Sequence, residues 1–220
     1  MDKAELLKNY QTVFDRVKKY KGARLLLATK MQGCEDINYL ISEGASLIGE
    51  NKVNELLEKY EGYDKRAEIH FIGTLQSNKV KYIVDKVSLI HSVDKLSLLQ
   101  EIDKRAEKIG KVMDVLIEVN SGKEENKSGV FPEDVSDFYE KTKEFKNVRV
   151  RGLMTMAPRC QSREEYLIYF GITKKLFDEL FGNDENAILS MGMSESYEYA
   201  LEAGATLVRV GSKIFGERKY

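Results

Sequence analysis

Apolar and polar positions along the chain switch repeatedly between two periods. Residues 3–20 place Leu6, Tyr10, Val13, Val17 and Tyr20 at a spacing of about 3.6, which predicts an amphipathic helix. The run Leu25-Leu26-Leu27-Ala28-Thr29-Lys30, bounded by Gly22 and Gly33, predicts a strand buried on both faces. Helical patterns then follow over 35–43, 52–60, 76–84, 95–109, 132–145, 163–181 and 194–203. Between them lie strand patterns over 46–48, 69–72, 87–91, 112–119, 148–154, 187–190 and 206–210. Gly110 is a helix stop and Pro132 a helix start. In the long helix, Tyr166, Phe170, Phe177 and Leu180 share the core face.

Eight strands alternating with helices make parallel order the economical topology. The reading is an α/β protein, a single (β/α)8 TIM barrel in one domain over 1–220, with a doubly wound open sheet as the alternative. Ten residues follow the last strand, too few for a full eighth helix, so the N-terminal helix is expected to fill that place. No linker, low-complexity tract or further repeat interrupts the series.

Composition narrows the function classes. With 35 basic and 36 acidic residues spread along the chain, there is no footprint for nucleic acid or for an anionic membrane surface. No apolar run approaches the ~20 residues of a membrane span. Cys34 and Cys160 form neither a disulfide framework nor a metal spacing, which fits a reducing cytoplasm. His70 and His91 are the only histidines, which argues against a multi-histidine metal site. P-loop, dinucleotide, nucleophile-elbow and zincin motifs are absent, and Asn126-Lys127-Ser128 is only a weak glycosylation pattern.

Candidate chemistry gathers at the strand ends, where a (β/α)8 barrel keeps its site. Leu26, Ala28 and Lys30 share one face of the first strand, so Lys30 emerges where the apolar run ends. An amine held against apolar walls can act as a Schiff-base nucleophile; a solvated strand-end lysine is the other reading. Strands seven and eight, the usual phosphate-holding pair, lead into Ser190-Met191-Gly192-Met193-Ser194 and Gly211-Ser212-Lys213-Ile214-Phe215-Gly216. Glycines let backbone N–H groups approach an anion. On strand eight, Leu207 and Arg209 share a face, which points Arg209 into the mouth beside Lys30 or leaves it as a paired structural arginine. Asn51, His70, His91 and Asn120 add polar strand ends, and Glu118 is expected to pair with an arginine such as Arg151.

The segments LLLATK (25–30), GEN (49–51), HFIGTLQSNK (70–79), HSVD (91–94), VLIEVNSGKEENKSG (115–129), GLMTMAP (152–158), LSMGMS (189–194) and VRVGSKIFGERKY (208–220) resemble the pyridoxal-phosphate homeostasis proteins, the YggS or PROSC family, over essentially the whole length. The resemblance implies an alanine-racemase-type barrel (PLP fold type III). In that family pyridoxal 5'-phosphate (PLP) is held as a Schiff base in intracellular PLP homeostasis, without established turnover. Lys30 then corresponds to the aldimine lysine, and Arg209 to the partner of the pyridine nitrogen. Ser190, Gly211 and Ser212 correspond to the phosphate cup, with Met191 beside them and Asn51 near the cofactor. Lys127 matches a lysine implicated in a secondary PLP contact. Apo-enzymes that need PLP are the implied partners, and a cytoplasmic monomer the implied state.

Thr29, Asn54, Glu118 and Ser212 stand where serine, glutamine, glutamine and threonine are usual, and Glu195-Ser196 replaces an acidic pair. The alternative is a PLP-dependent racemase or decarboxylase, and a weaker one is a cofactor-free Schiff-base aldolase. Such racemases add a second domain with an acid-base tyrosine, for which the chain is expected to have no room.

Overall fold

The structure, a computed structural model, describes residues 1–216. Asp2 caps α1 (Lys3–Lys18) by accepting from Glu5 N–H at 2.8 Å. There follow β1 (Arg24–Ala28), α2 (Cys34–Ser42), β2 (Leu47–Glu50), α3 (Val53–Lys59), β3 (Glu68–Phe71), β4 (Leu89–Val93), α4 (Leu96–Lys108), β5 (Met113–Val119), α5 (Val135–Thr142), β6 (Val148–Thr155), α6 (Arg163–Phe181), β7 (Ile188–Ser190), α7 (Tyr197–Glu202), β8 (Leu207–Val210) and α8 (Ser212–Phe215). All neighbouring strands pair in parallel, and β8 returns to β1 through Leu26↔Arg209 and Leu27↔Val210, closing the barrel. The open-sheet alternative is thereby excluded. α8 is a single turn, and α1 packs against it, with Asn9 Nδ2 donating to the Ile214 carbonyl at 3.3 Å. The N-terminal helix does occupy the eighth place.

Strand alternation divides two cores. Leu25, Leu27, Ile48, Phe71, Ile90, Val208 and Val210 face the helices in one large cluster. Leu26, Leu47, Ile72 and Leu207 fill part of the barrel interior, and Leu89, Leu116 and Met154 another part. The interior also encloses polar side chains, among them His70, His91, Glu118, Ser190 and Arg209.

Several elements differ from the sequence expectation. Among them, β2 runs Leu47–Glu50, and the helix expected over 132–145 is a 3-10 turn over Pro132–Asp134 followed by α5. Residues 76–84 form only a 3-10 turn, Ser77–Tyr82, because Val80 is the one buried side chain in that turn and a longer cylinder would gain no apolar stripe. β4 runs to Val93 rather than ending at His91, since His91 and Ser92 are polar yet buried. The helix expected from Ser194 starts at Tyr197, after a loop held by the Ser196 hydroxyl accepting from Met193 N–H at 3.2 Å.

Between Val115↔Val150 and Ile117↔Leu153, β6 carries one residue more than β5, a bulge. Gly152 sits there at φ +144, where an added Cβ would lie 2.1 Å from the Ile188 carbonyl oxygen. Both the backbone angle and the space demand glycine. Gly152→Ala is expected to cost roughly 2 kcal/mol or more in urea unfolding at unchanged m-value.

Candidate functional site

A cavity of about 360 Å³ opens at the C-terminal ends of the strands, within the usual range for a small-molecule pocket. Lys30 after β1, Asn51 after β2, Thr155 at the end of β6, Gly192 after β7, Arg209 on β8 and Gly211 just after it all line it. Ser212 also reaches this cavity, whereas Ser190 and Met191 do not.

Lys30 follows β1 in a turn closed by Gln32 N–H donating to the Thr29 carbonyl at 3.1 Å. Met31, the next residue, adopts φ +64, a left-handed conformation that a side chain of this kind rarely holds. The surroundings over-determine it. Lys59 Nζ donates to the Thr29 carbonyl (3.0 Å), the Gln32 carbonyl (3.2 Å) and Glu50 Oε1 (2.7 Å), and the Glu55 carboxylate accepts from Met31 N–H. Glu50, fully buried, also accepts from Thr29 Oγ1 (2.7 Å) and the Tyr63 hydroxyl (2.6 Å). Burial and the Glu50 charge push the Tyr63 hydroxyl far above its ordinary pKa. Sequence reasoning missed this anchor. Its one visible signal was an acidic residue, Glu50, inside an otherwise buried strand.

Arg209 is 4% exposed and does point inward. Its guanidinium donates to Ser190 Oγ at 2.5 Å and to the Thr155 carbonyl at 3.1 Å. Burial lowers its pKa to about 10, with Glu118 pulling the other way. That value still leaves it charged at neutral pH.

The Ser190 hydroxyl lies 3.1 Å from His91 Nδ1, accepts from Arg209 and does not line the cavity. Met191 packs at 0% exposure in the outer core. Ser194, four residues after Ser190, does line the cavity. Its Oγ accepts from Gly211 N–H (3.2 Å) and faces Lys213 N–H (3.4 Å), as an anion oxygen would. The Asn51 side-chain oxygen is out of contact with water and has no hydrogen-bond partner. At Gly211 an added Cβ would lie 3.0 Å from the Ala28 carbonyl oxygen.

Glu118 does not pair with Arg151. Arg151 instead meets Asp114 at 3.2 Å, at the other end of β5. Glu118 is in register with Met154, three residues further along β6, roughly 10 Å away. Glu118 faces the barrel interior, where burial and Asp94 raise its pKa to about 7 against the pull of Arg209. Asn120 ties its own loop, bonding the Glu124 carbonyl (2.9 Å) and Glu124 N–H (3.1 Å). Lys127, on the same loop, is exposed and away from the cavity. Among the described residues no cluster of His, Cys, Asp and Glu could hold a metal ion.

The chain matches the family model described as alanine racemase, N-terminal domain, over residues 1–219. An alanine racemase from Clostridium difficile 630 shares the fold at a TM-score of 0.80 and 16% identity, over 99% of this chain and 58% of that one. A pyridoxal phosphate homeostasis protein of Aquifex aeolicus is 48% identical over 90% of this chain and 88% of its own length. The chain belongs to the family of pyridoxal phosphate homeostasis proteins. PipY of Synechococcus elongatus PCC7942, solved without PLP and with PLP bound, superposes at TM-scores of 0.86 and 0.83 with 27% and 26% identity. Those superpositions cover 95% and 96% of this chain, and 99% and 100% of that one.

Proposed function

We propose that this protein holds PLP in the strand-end cavity, covalently on Lys30, as a carrier in PLP homeostasis. The observation that carries the reading is the convergence of one amine, one buried arginine, Gly211 and the hydroxyls of Ser194 and Ser212 on a single cavity. The residues fit the cofactor's parts. The two N–H groups now facing the Ser194 hydroxyl suit a phosphate oxygen, with Ser212 adding a hydroxyl. The unpartnered Asn51 oxygen can meet a ring substituent, or the amide can turn and donate.

When bound, PLP supplies an aldehyde for attachment and a ring that withdraws electrons, most strongly with its nitrogen protonated. Arg209 can only donate and stays charged, so it favours an unprotonated ring nitrogen. The site therefore binds and orients without driving carbanion chemistry. We extend the same reading to a cytoplasmic monomer that releases PLP slowly to apo-enzymes, in keeping with the name of the bacterial relatives. Among the described residues no helix is long and apolar enough to cross a membrane.

A spectrophotometric PLP titration tests the reading: a saturable band at one equivalent supports it, and no band sinks it. Ser212→Ala should weaken binding by about 1–3 kcal/mol, the loss of one hydroxyl bond to a charged acceptor. Gly211→Val, which crowds the same backbone against Ala28, should cost more than tenfold in affinity, about 1.4 kcal/mol. Long incubation with single L-amino acids, read by chiral chromatography, should show no more racemisation than free PLP gives. Racemisation well above that level, abolished in Lys30→Ala, would instead make the protein an enzyme.

A further inference from the structure

The barrel interior holds a line of polar groups that a binding pocket alone does not require. Arg209 donates to Ser190 Oγ at 2.5 Å, and Ser190 Oγ lies 3.1 Å from His91 Nδ1. His91 Nε2 lies 3.0 Å from His70 Nδ1, and His70 Nε2 lies 3.6 Å from Glu68 Oε2, an ion-pair distance. Arg209, Ser190, His91 and His70 are all buried, whereas Glu68 opens β3 and is exposed beside Arg24. The line thus runs from the cavity, through the barrel, to solvent at the opposite end.

Its head fixes the direction of every bond. A guanidinium has donors only, so Ser190 accepts from Arg209. The single Ser190 proton must then go to His91 Nδ1, which leaves the His91 proton on Nε2. That proton points at His70 Nδ1, so His70 also carries its proton on Nε2, toward the Glu68 carboxylate. The reverse order would strand the Ser190 proton in a fully buried place and set an unprotonated His70 nitrogen against a carboxylate. Burial keeps both histidines below their ordinary pKa. Glu68 opposes this at His70, while Arg24 adds to it; at His91 both His70 and Arg209 add to it. Glu118, with Asp94 near it, is the charged group that faces Arg209 from β5.

We propose that His70, His91 and Ser190 form a one-way hydrogen-bond line, with the Glu68 carboxylate 3.6 Å beyond its outer end, that sets how Arg209 presents its N–H groups to the cavity, with Glu68 and His70 acting as positioning residues. The consequence at the ring nitrogen rests on the PLP reading above; the line itself does not. When acid converts His70 to its cation, Nδ1 carries the second proton and faces His91 as a donor. His91 must then hold its own proton on Nδ1, and Ser190 accepts from both sides with its own proton left unpaired. That cost adds to burial in keeping both rings neutral until the pH is acid. Acid at the closed end of the barrel is thereby felt at Arg209.

The chain has only two histidines, so histidine-labelled protein gives a clean reading by long-range proton–nitrogen correlation NMR. At pH 7, with or without PLP, both rings are expected as neutral Nε2–H tautomers, changing together in one step on acidification. Glu68→Gln should move that step to lower pH, since it removes the charge that favours protonated His70. Ser190→Ala should uncouple the two rings and release the His91 tautomer. In PLP-loaded protein the visible band should break at the same pH as the rings. An Nδ1–H tautomer on either ring at pH 7, or a step unmoved by Glu68→Gln, overturns the proposal. Failure of the wild type to bind PLP would overturn the cofactor reading and leave the NMR result standing.

Discussion

Lys30→Ala is expected to stay colourless in PLP at concentrations that saturate the wild type, with an unchanged far-ultraviolet circular dichroism spectrum. The covalent linkage needs an amine at that point of the cavity, and alanine supplies none. The turn's backbone is anchored by other side chains: Lys59 donates to the Thr29 and Gln32 carbonyls, and Glu55 accepts from Met31 N–H. Lys30→Arg should be equally colourless, since a guanidinium keeps its charge but is no nucleophile at ordinary pH. A visible band of wild-type strength in either variant would move the attachment elsewhere.

Glu118→Gln is expected to stabilise the PLP-free protein above pH 7. Burial and Asp94 raise the Glu118 pKa from its ordinary 4.5 to about 7. The folded state thus holds this proton more tightly than the unfolded chain does. The associated stability is fully present below pH 4.5 and is lost as the pH rises through about 7. At about 1.4 kcal/mol per tenfold change in proton affinity, the ionised carboxylate costs on the order of 3 kcal/mol. Glutamine keeps the shape without the charge, so the variant should lack that slope between pH 4.5 and 7 and exceed the wild type above it. Urea unfolding at a series of pH values reads both. Parallel wild-type and variant curves across that window would contradict the assignment.

The barrel was legible because its strands are short apolar runs separated by helical stripes, and that alternation leaves few topologies. The inward face of β1 and β8 was legible for the same reason. Once Leu25 and Leu27, or Val208 and Val210, go to the helices, Lys30 and Arg209 must point the other way. What escaped depends on contacts far apart in sequence. Ser190 ends β7 and Ser194 lies in the loop after it, and only the path of Arg209 across the interior shows that Ser190 meets the guanidinium while Ser194 meets Gly211 N–H. The Glu50–Lys59–Tyr63 anchor joins a strand, a helix end and a loop, with no local period to announce it. Arg151 and Glu118 looked like neighbours on adjacent strands until the actual β6 register placed Asp114 beside the arginine. The end of β4 was hidden because polar His91 and Ser92 break the apolar run, although both are buried.

Borohydride reduction of the PLP-loaded wild type, followed by peptide mapping, tests the central claim most directly. Reduction should fix one equivalent of cofactor on the peptide that contains Lys30, with other lysines unlabelled. A label carried instead by Lys79 or Lys127, with Lys30 unmodified, would contradict it.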